Sequence, residues 1–196
     1  ELAKRKGVDL KFGETVVQII NEGPEKIHIK TTQSEYYASK VIISAGSWIN
    51  NFTPPEIRKL FQVYPQVLYW FEITEKTCFS PERFPVFIWK FSSELGESIY
   101  GFPAIHGAKG GLKMATHNVH TPIPPDQIDR HVTGQEKKDF YEKFVAPHFH
   151  HLGPQCLKTA VCSYTMTPDE NFVIDYAPET QDILLVSACS GHGFKH

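Results

Sequence analysis

The stretch "KVIISAGSWINNFTPPEIRKLFQVYPQVLYWFEI", residues 40 to 73, changes character halfway along. It opens on a short β-branched run that ends in the small residues of "SAGSW", where close approach of another backbone or a ligand is possible. It closes on "QVYPQVLYWFEI", a longer and aromatic strand. The connection, "TPPEIRKLF", reads as a proline-started helical turn, because proline is tolerated at the first helical positions. Two sheets of different kinds therefore meet in one chain.

Upstream, "VDLKFG", "TVVQII", "KIHIKTT" and "EYYASKVIISAG" read as a strand meander interrupted by "EGPE" and "QSE". The start, "ELAKRKGVDL", has the form of a helix end closed by Gly7, as expected of an internal start point. Downstream, "FPVFIWKFS", "ESIYGFP" and "GLKMATH" extend the aromatic block, as in an antiparallel sheet with one face over a core or a ligand. "GQEKKDFYEKFVAPHF" is an amphipathic helix with Phe140, Phe144 and Val145 on one side. "CLKTAVCSYTMT", "NFVIDYA" and "DILLVSA" are three last strands in which the first character resumes. The expected fold class is α/β (α+β): a first domain over 1–61, a second over 62–150 built on an antiparallel sheet, and a return to the first over 151–196.

Composition narrows the function. The 196 residues carry 20 basic and 22 acidic side chains, for a net charge of −2, mixed along the chain. No basic field for nucleic acid or anionic membrane follows from that. No run approaches the roughly 20 apolar residues of a membrane span. Cys78, Cys156, Cys162 and Cys189 form no C-x-x-C pair, which points to a reduced, intracellular protein.

Four features carry chemistry, each with a plain alternative. His148, His150 and His151 in "HFHH" suggest a metal, but the segment follows Pro147 at a helix end, where exposed histidine is ordinary, so no metal is expected. Lys113 and His117 lie four apart and share a strand face. A lysine inside an aromatic strand is either an edge-strand gatekeeper or a functional amine, and composition favours the gatekeeper. Cys162 by itself reads as a small core residue. "SGHGFK", with Gly191 and Gly193 bracketing His192, reads as a turn into a helix, whose N-terminus suits an anion.

Together, "CSYTMTPDENFVID" and "SGHGFK" resemble the C-terminal half of the monomeric sarcosine oxidase family, which includes N-methyltryptophan oxidase and pipecolate/sarcosine oxidases. Cys162 and Lys195 are 195 − 162 = 33 residues apart, as in that family. "SAGSW" looks like the family's flavin-contacting A-G-x-W turn, with Ala45, Gly46 and Trp48. "YGFP" and "GLK" look like its substrate-domain strands.

The resemblance implies an FAD-dependent oxidase that takes a hydride from the N-alkyl carbon of a secondary amino acid and passes electrons to O2, giving an imine and hydrogen peroxide. On it, Cys162 matches the cysteine that carries the flavin through a thioether. Lys195 matches the lysine for the substrate carboxylate, and Lys113 the lysine near the flavin N5 edge, where fixed positive charge favours superoxide. Tyr100 and His117 match substrate-pocket residues. Gly191, His192, Gly193 and Phe194 match the backbone facing the flavin's pyrimidine edge. The partners implied are a small secondary amino acid and O2, in a monomeric enzyme of the cytoplasm, or of the peroxisome in a eukaryote.

Two substitutions bear on the substrate: Ile88 replaces an expected Met, and Ala188 with Cys189 replaces an expected Gly-Phe pair. No strand–G-x-G-x-x-G–helix fingerprint for the FAD pyrophosphate occurs, so the chain is expected to be about half of an enzyme, ending inside its site. The alternatives are a fructosyl amino acid oxidase or flavin dehydrogenase relative, and a folded fragment without cofactor or activity.

Overall fold

A computed structural model describes residues 1–91, 98–117, 119–187 and 189–193. The chain forms two units, one of residues 1–61 and 167–196, the other of residues 62–166.

The first unit begins with a short helix, α1 (Leu2–Arg5), stopped where Gly7 takes φ +80°. Strands β1 (Val16–Asn21), β2 (Ile27–Thr31) and β3 (Glu35–Ala38) follow as an antiparallel meander in the order β1-β2-β3. The expected first strand, "VDLKFG", does not form. Asp9 and Lys11 pair with each other at 2.8 Å, Phe12 is 80% exposed, and Gly13 at φ +70° breaks the extended run.

"EYYASKVIISAG" is two strands rather than one. After β3 the chain turns, and β4 (Val41–Ile43) leaves the meander to lie parallel to β11 (Ile183–Ser187), which pairs on its other edge with β10 (Val173–Tyr176). The Lys40 ammonium bonds the Asp182 carboxylate, and the Val41 amide donates to the Asp182 carbonyl at 2.8 Å, which fixes where β4 starts. Ile27, Ile43, Ile49, Phe61, Ile183 and Leu185 form the buried core of this unit. After β4 come a 3-10 turn over Gly46–Asn51 and the proline-started helix α2 (Pro55–Arg58).

The second unit is a five-stranded antiparallel sheet in the order β6-β7-β8-β5-β9. Its strands are β5 (Gln62–Ile73), β6 (Phe87–Lys90), β7 (Ser98–Phe102), β8 (Leu112–Thr116) and β9 (Leu152–Met166). The boundary expected at residue 151 moves to 167. β9 is hydrogen-bonded along β5 from Gln62↔Met166 to Ile73↔Leu152, so these residues complete the second sheet. The helix α3 (Gly134–Phe140) opens with a capping box, in which Thr133 and Glu136 bond each other's backbone amides. It runs into a π turn at Tyr141–Val145. Phe140 and Val145 from this segment pack on Tyr69, Phe71, Leu112 and Met114, with Phe144 beside them. Tyr69 and Phe140 stack with centroids 4.2 Å apart. Among the described residues no helix is long and apolar enough to cross a membrane.

Candidate active site

The helix covers one face of the second sheet and leaves the other to aromatic and polar side chains together. Side chains alternate along a strand, and residues directly opposite on neighbouring strands share a face. Phe71, Tyr69, Leu112 and Met114 turn toward the helix. The register Ile88↔Tyr100, Tyr100↔Ala115, Phe102↔Lys113, Lys113↔Trp70, Trp70↔Lys158 and Gln66↔Cys162 defines the opposite face. Tyr100, Lys113 and Cys162 therefore stand on that face, with His117 just beyond the end of β8 at the same parity as Lys113.

Lys113 lies on β8, between β7 and β5 in the middle of the sheet. The gatekeeper reading is overturned by that position, because a gatekeeper belongs on an edge. Its Nζ sits 4.7 Å from the Phe102 ring centroid and 5.5 Å from that of Trp70. Gly101, between Tyr100 and Phe102, belongs to the helix-covered face, opposite Met114 and Phe87. A Cβ there would meet the Phe87 ring at 2.5 Å and the Lys113 carbonyl oxygen at 2.8 Å.

Tyr100 and Tyr164 form a phenol pair with oxygens 3.1 Å apart. Burial pushes the Tyr100 phenol well above the usual tyrosine range, aided by its hydrogen bond with Tyr164. Tyr100 is thus a neutral hydroxyl throughout ordinary pH. The Tyr164 ring lies 5.5 Å from His117 and, being two residues from Cys162, points to the same face. Cys162 is half-buried and is not in a disulfide. Opposite it on β5 stands Gln66, with no exposed surface.

Sequence reading missed Tyr164, Gln66 and Trp70. Tyr164 had an available signal, the i, i+2 spacing from Cys162. The other two emerge only from the β5 register.

In the first unit, Ala45 precedes the 3-10 turn, Gly46 opens it at φ +54°, and Trp48 is 39% exposed. A Cβ on Gly46 would meet nothing within 4 Å, so the glycine serves the left-handed backbone rather than a close approach. Gly191 takes φ +78°. The His192 ring is bonded to the Glu170 carbonyl at 2.9 Å and packs on Phe172 at 4.7 Å. Gly193 follows; Phe194 and Lys195 lie outside the described residues. His148, in the "HFHH" segment, bonds the Phe144 carbonyl and stacks on Phe91 at 4.2 Å.

The second unit thus presents two phenols, an ammonium and a thiol together on one face of an antiparallel sheet. The chain belongs to the FAD dependent oxidoreductase (DAO) family, which matches residues 1–196. Among curated relatives, it is 32% identical over 197 residues to a monomeric sarcosine oxidase of Bacillus sp. (strain NS-129), covering 100% of this chain and 49% of that protein. It is 32% identical over 201 residues to an N-methyl-L-tryptophan oxidase of Salmonella enteritidis PT4, covering 99% and 50%. The chain spans about half the length of the curated relatives it matches. Among solved structures, the open form of NikD, described as an unusual amino acid oxidase essential for nikkomycin biosynthesis, superposes with a TM-score of 0.74. It covers 99% of this chain and 50% of that one at 18% identity, a likeness of fold.

Proposed function

We propose that this chain is the substrate-facing part of an FAD-dependent oxidase of N-methyl or other secondary amino acids. The observation that carries the reading is the single sheet face that gathers Tyr100, Lys113, Cys162 and Tyr164, opposite the helix-covered face. The family match supports FAD, and the names of the relatives support a small N-alkyl amino acid as substrate.

The residues present fit a flavin by their chemistry. A half-buried aromatic face, one thiol and a mid-sheet ammonium are what an apolar, redox-active ring system needs for packing, attachment and charge balance. FAD, when bound, supplies two-electron oxidation of the carbon beside the amine nitrogen and delivery of those electrons to O2. This chain's residues take the following parts. Tyr100 stays protonated and offers a neutral hydroxyl, so it orients substrate without competing for its proton. Lys113 places a positive charge where O2 gains negative charge. Lys195 pairs with the substrate carboxylate, since an unpaired buried charge costs several kcal/mol. Ala45, Gly46, Trp48 and the Gly191–Phe194 segment belong to the cofactor's surroundings on the same reading.

Cys162 is assigned to covalent attachment. Its sulfur would hold the flavin through a thioether, a two-electron oxidation for which O2 would be the acceptor. The test is proteolysis of the complete, yellow protein followed by the mass of the Cys162 peptide. A flavin adduct is expected; an unmodified peptide from active enzyme overturns the assignment. Amine-dependent peroxide release, measured alongside with sarcosine, checks the reaction itself.

A further inference from the structure

We infer that Trp70 is a positioning residue that holds the Lys113 ammonium, an inference that rests on the assignment of Lys113 to the reaction with O2. Lys113 is flanked across the sheet by Trp70 on β5 and Phe102 on β7, its direct register partners on either side. Both rings receive its Nζ, at 5.5 and 4.7 Å from their centroids. Among the described residues, no carboxylate forms an ion pair with it.

The choice of partner has a chemical consequence. A carboxylate would hold the ammonium but cancel its charge for anything nearby. The negative face of an aromatic ring attracts the cation while leaving a full net charge. Two rings, one on each neighbouring strand, also restrict a side chain that is otherwise rich in rotamers. The result is a fixed, uncancelled positive charge in mid-sheet, the arrangement that preorganised stabilisation of a developing anion requires.

A second lysine competes for the same indole. Lys158, on the edge strand β9, has its Nζ 4.9 Å from the Trp70 centroid and is exposed. Edge position and exposure fit Lys158 to the gatekeeper role that Lys113 cannot fill. The indole must therefore be tested for which of the two it serves.

The experiment uses the complete flavoprotein with Trp70→Leu and Trp70→Phe, each also combined with Lys113→Met, and Trp70→Leu combined with Lys158→Met. Rates of anaerobic reduction by the amine and of reoxidation by O2 are read separately by stopped flow. The ε-methylene signal of Lys113 is read in the carbon-13 lysine spectrum of the oxidised, substrate-free protein.

Trp70→Leu is expected to slow reoxidation about five- to tenfold, to spare reduction, and to move the Lys113 signal downfield as the ring current is lost. Trp70→Phe should stay within about twofold of the parent, since its ring retains a negative face. In the Lys113→Met background, Trp70→Leu should have no further effect. A loss that persists there, that disappears instead with Lys158→Met, or that leaves the Lys113 signal unmoved overturns the inference. If Lys113→Met alone does not slow reoxidation, the oxygen role of Lys113 falls, and the ring-current shift still decides whether Trp70 holds it.

Discussion

The phenol oxygens of Tyr100 and Tyr164 lie 3.1 Å apart, joining β7 to β9 although β8 and β5 run between these strands. A hydrogen bond that bridges so far across the sheet face ties together the two strands carrying Tyr100 and Cys162. Tyr164→Phe removes one hydroxyl and keeps the ring against His117. The variant should lose about 0.5–1.5 kcal/mol of stability in urea unfolding, the net worth of one hydrogen bond. A variant as stable as the parent would show that water replaces Tyr164 as the partner of Tyr100.

Burial pushes the Tyr69 phenol up to about 12, in the packed layer where it stacks on Phe140. A folded pKa above the unfolded value of about 10 means that the folded state binds more protons between the two. The stabilisation is then fully present below pH 10 and is lost as pH rises through about 12. Tyr69→Phe keeps the ring and removes the proton, so its stability should fall less steeply than the parent's across that window. Melting temperatures measured from pH 8 to 12.5 give the comparison.

Gly101→Ala inserts a Cβ against the Phe87 ring at 2.5 Å and the Lys113 carbonyl at 2.8 Å. The ring has room to yield only by disturbing its packing on Phe84 and Phe149, and the carbonyl only by shifting β8. The expected cost is about 1–3 kcal/mol, as for overpacking elsewhere. Because the strain falls on the Lys113 backbone, the oxygen role proposed for Lys113 also calls for a loss of oxygen reactivity in the complete protein. Equal stability by denaturant titration would mean that the sheet relaxes around the methyl group.

On the proposed function Lys195 pairs with the substrate carboxylate, and its replacement by Ala in the complete protein should weaken binding of carboxylate-bearing inhibitors by about 2–5 kcal/mol, the cost of breaking a desolvated charge pair. Binding of an uncharged amine should change little. Inhibitor titration of the flavin spectrum reads both. Equal carboxylate affinity in the variant would reduce Lys195 to a helix-start residue.

Strand positions were legible from residue type wherever one face is apolar, and the aromatic block from Gln62 to Thr116 is the clearest case. The motif around Cys162 was legible only through its resemblance to a family, since the cysteine by itself reads as a small core residue. Local pattern does not carry pairing. Nothing in "CLKTAVCSYTMT" distinguishes a strand beside β5 from one beside β4, since the alternation is the same and the choice rests on which sheet has an open edge. Nor does local pattern say that β4 quits the meander to run parallel to β11, where Ile43 meets Ile183 and Leu185 in one core and Lys40 meets Asp182 from 142 residues away.

The same division runs through the site. Sequence alone determined the residue types, the family likeness and the shared parity of Lys113 with His117. Tertiary structure decided what Lys113 is. On an edge strand its ammonium would face water and discourage aggregation. In the middle of the sheet it is held by Trp70 and Phe102, and only the long-range order β7-β8-β5 puts those two rings beside it. Strand order is set by burial and pairing summed over the whole sheet, a quantity that no single stretch of residues contains.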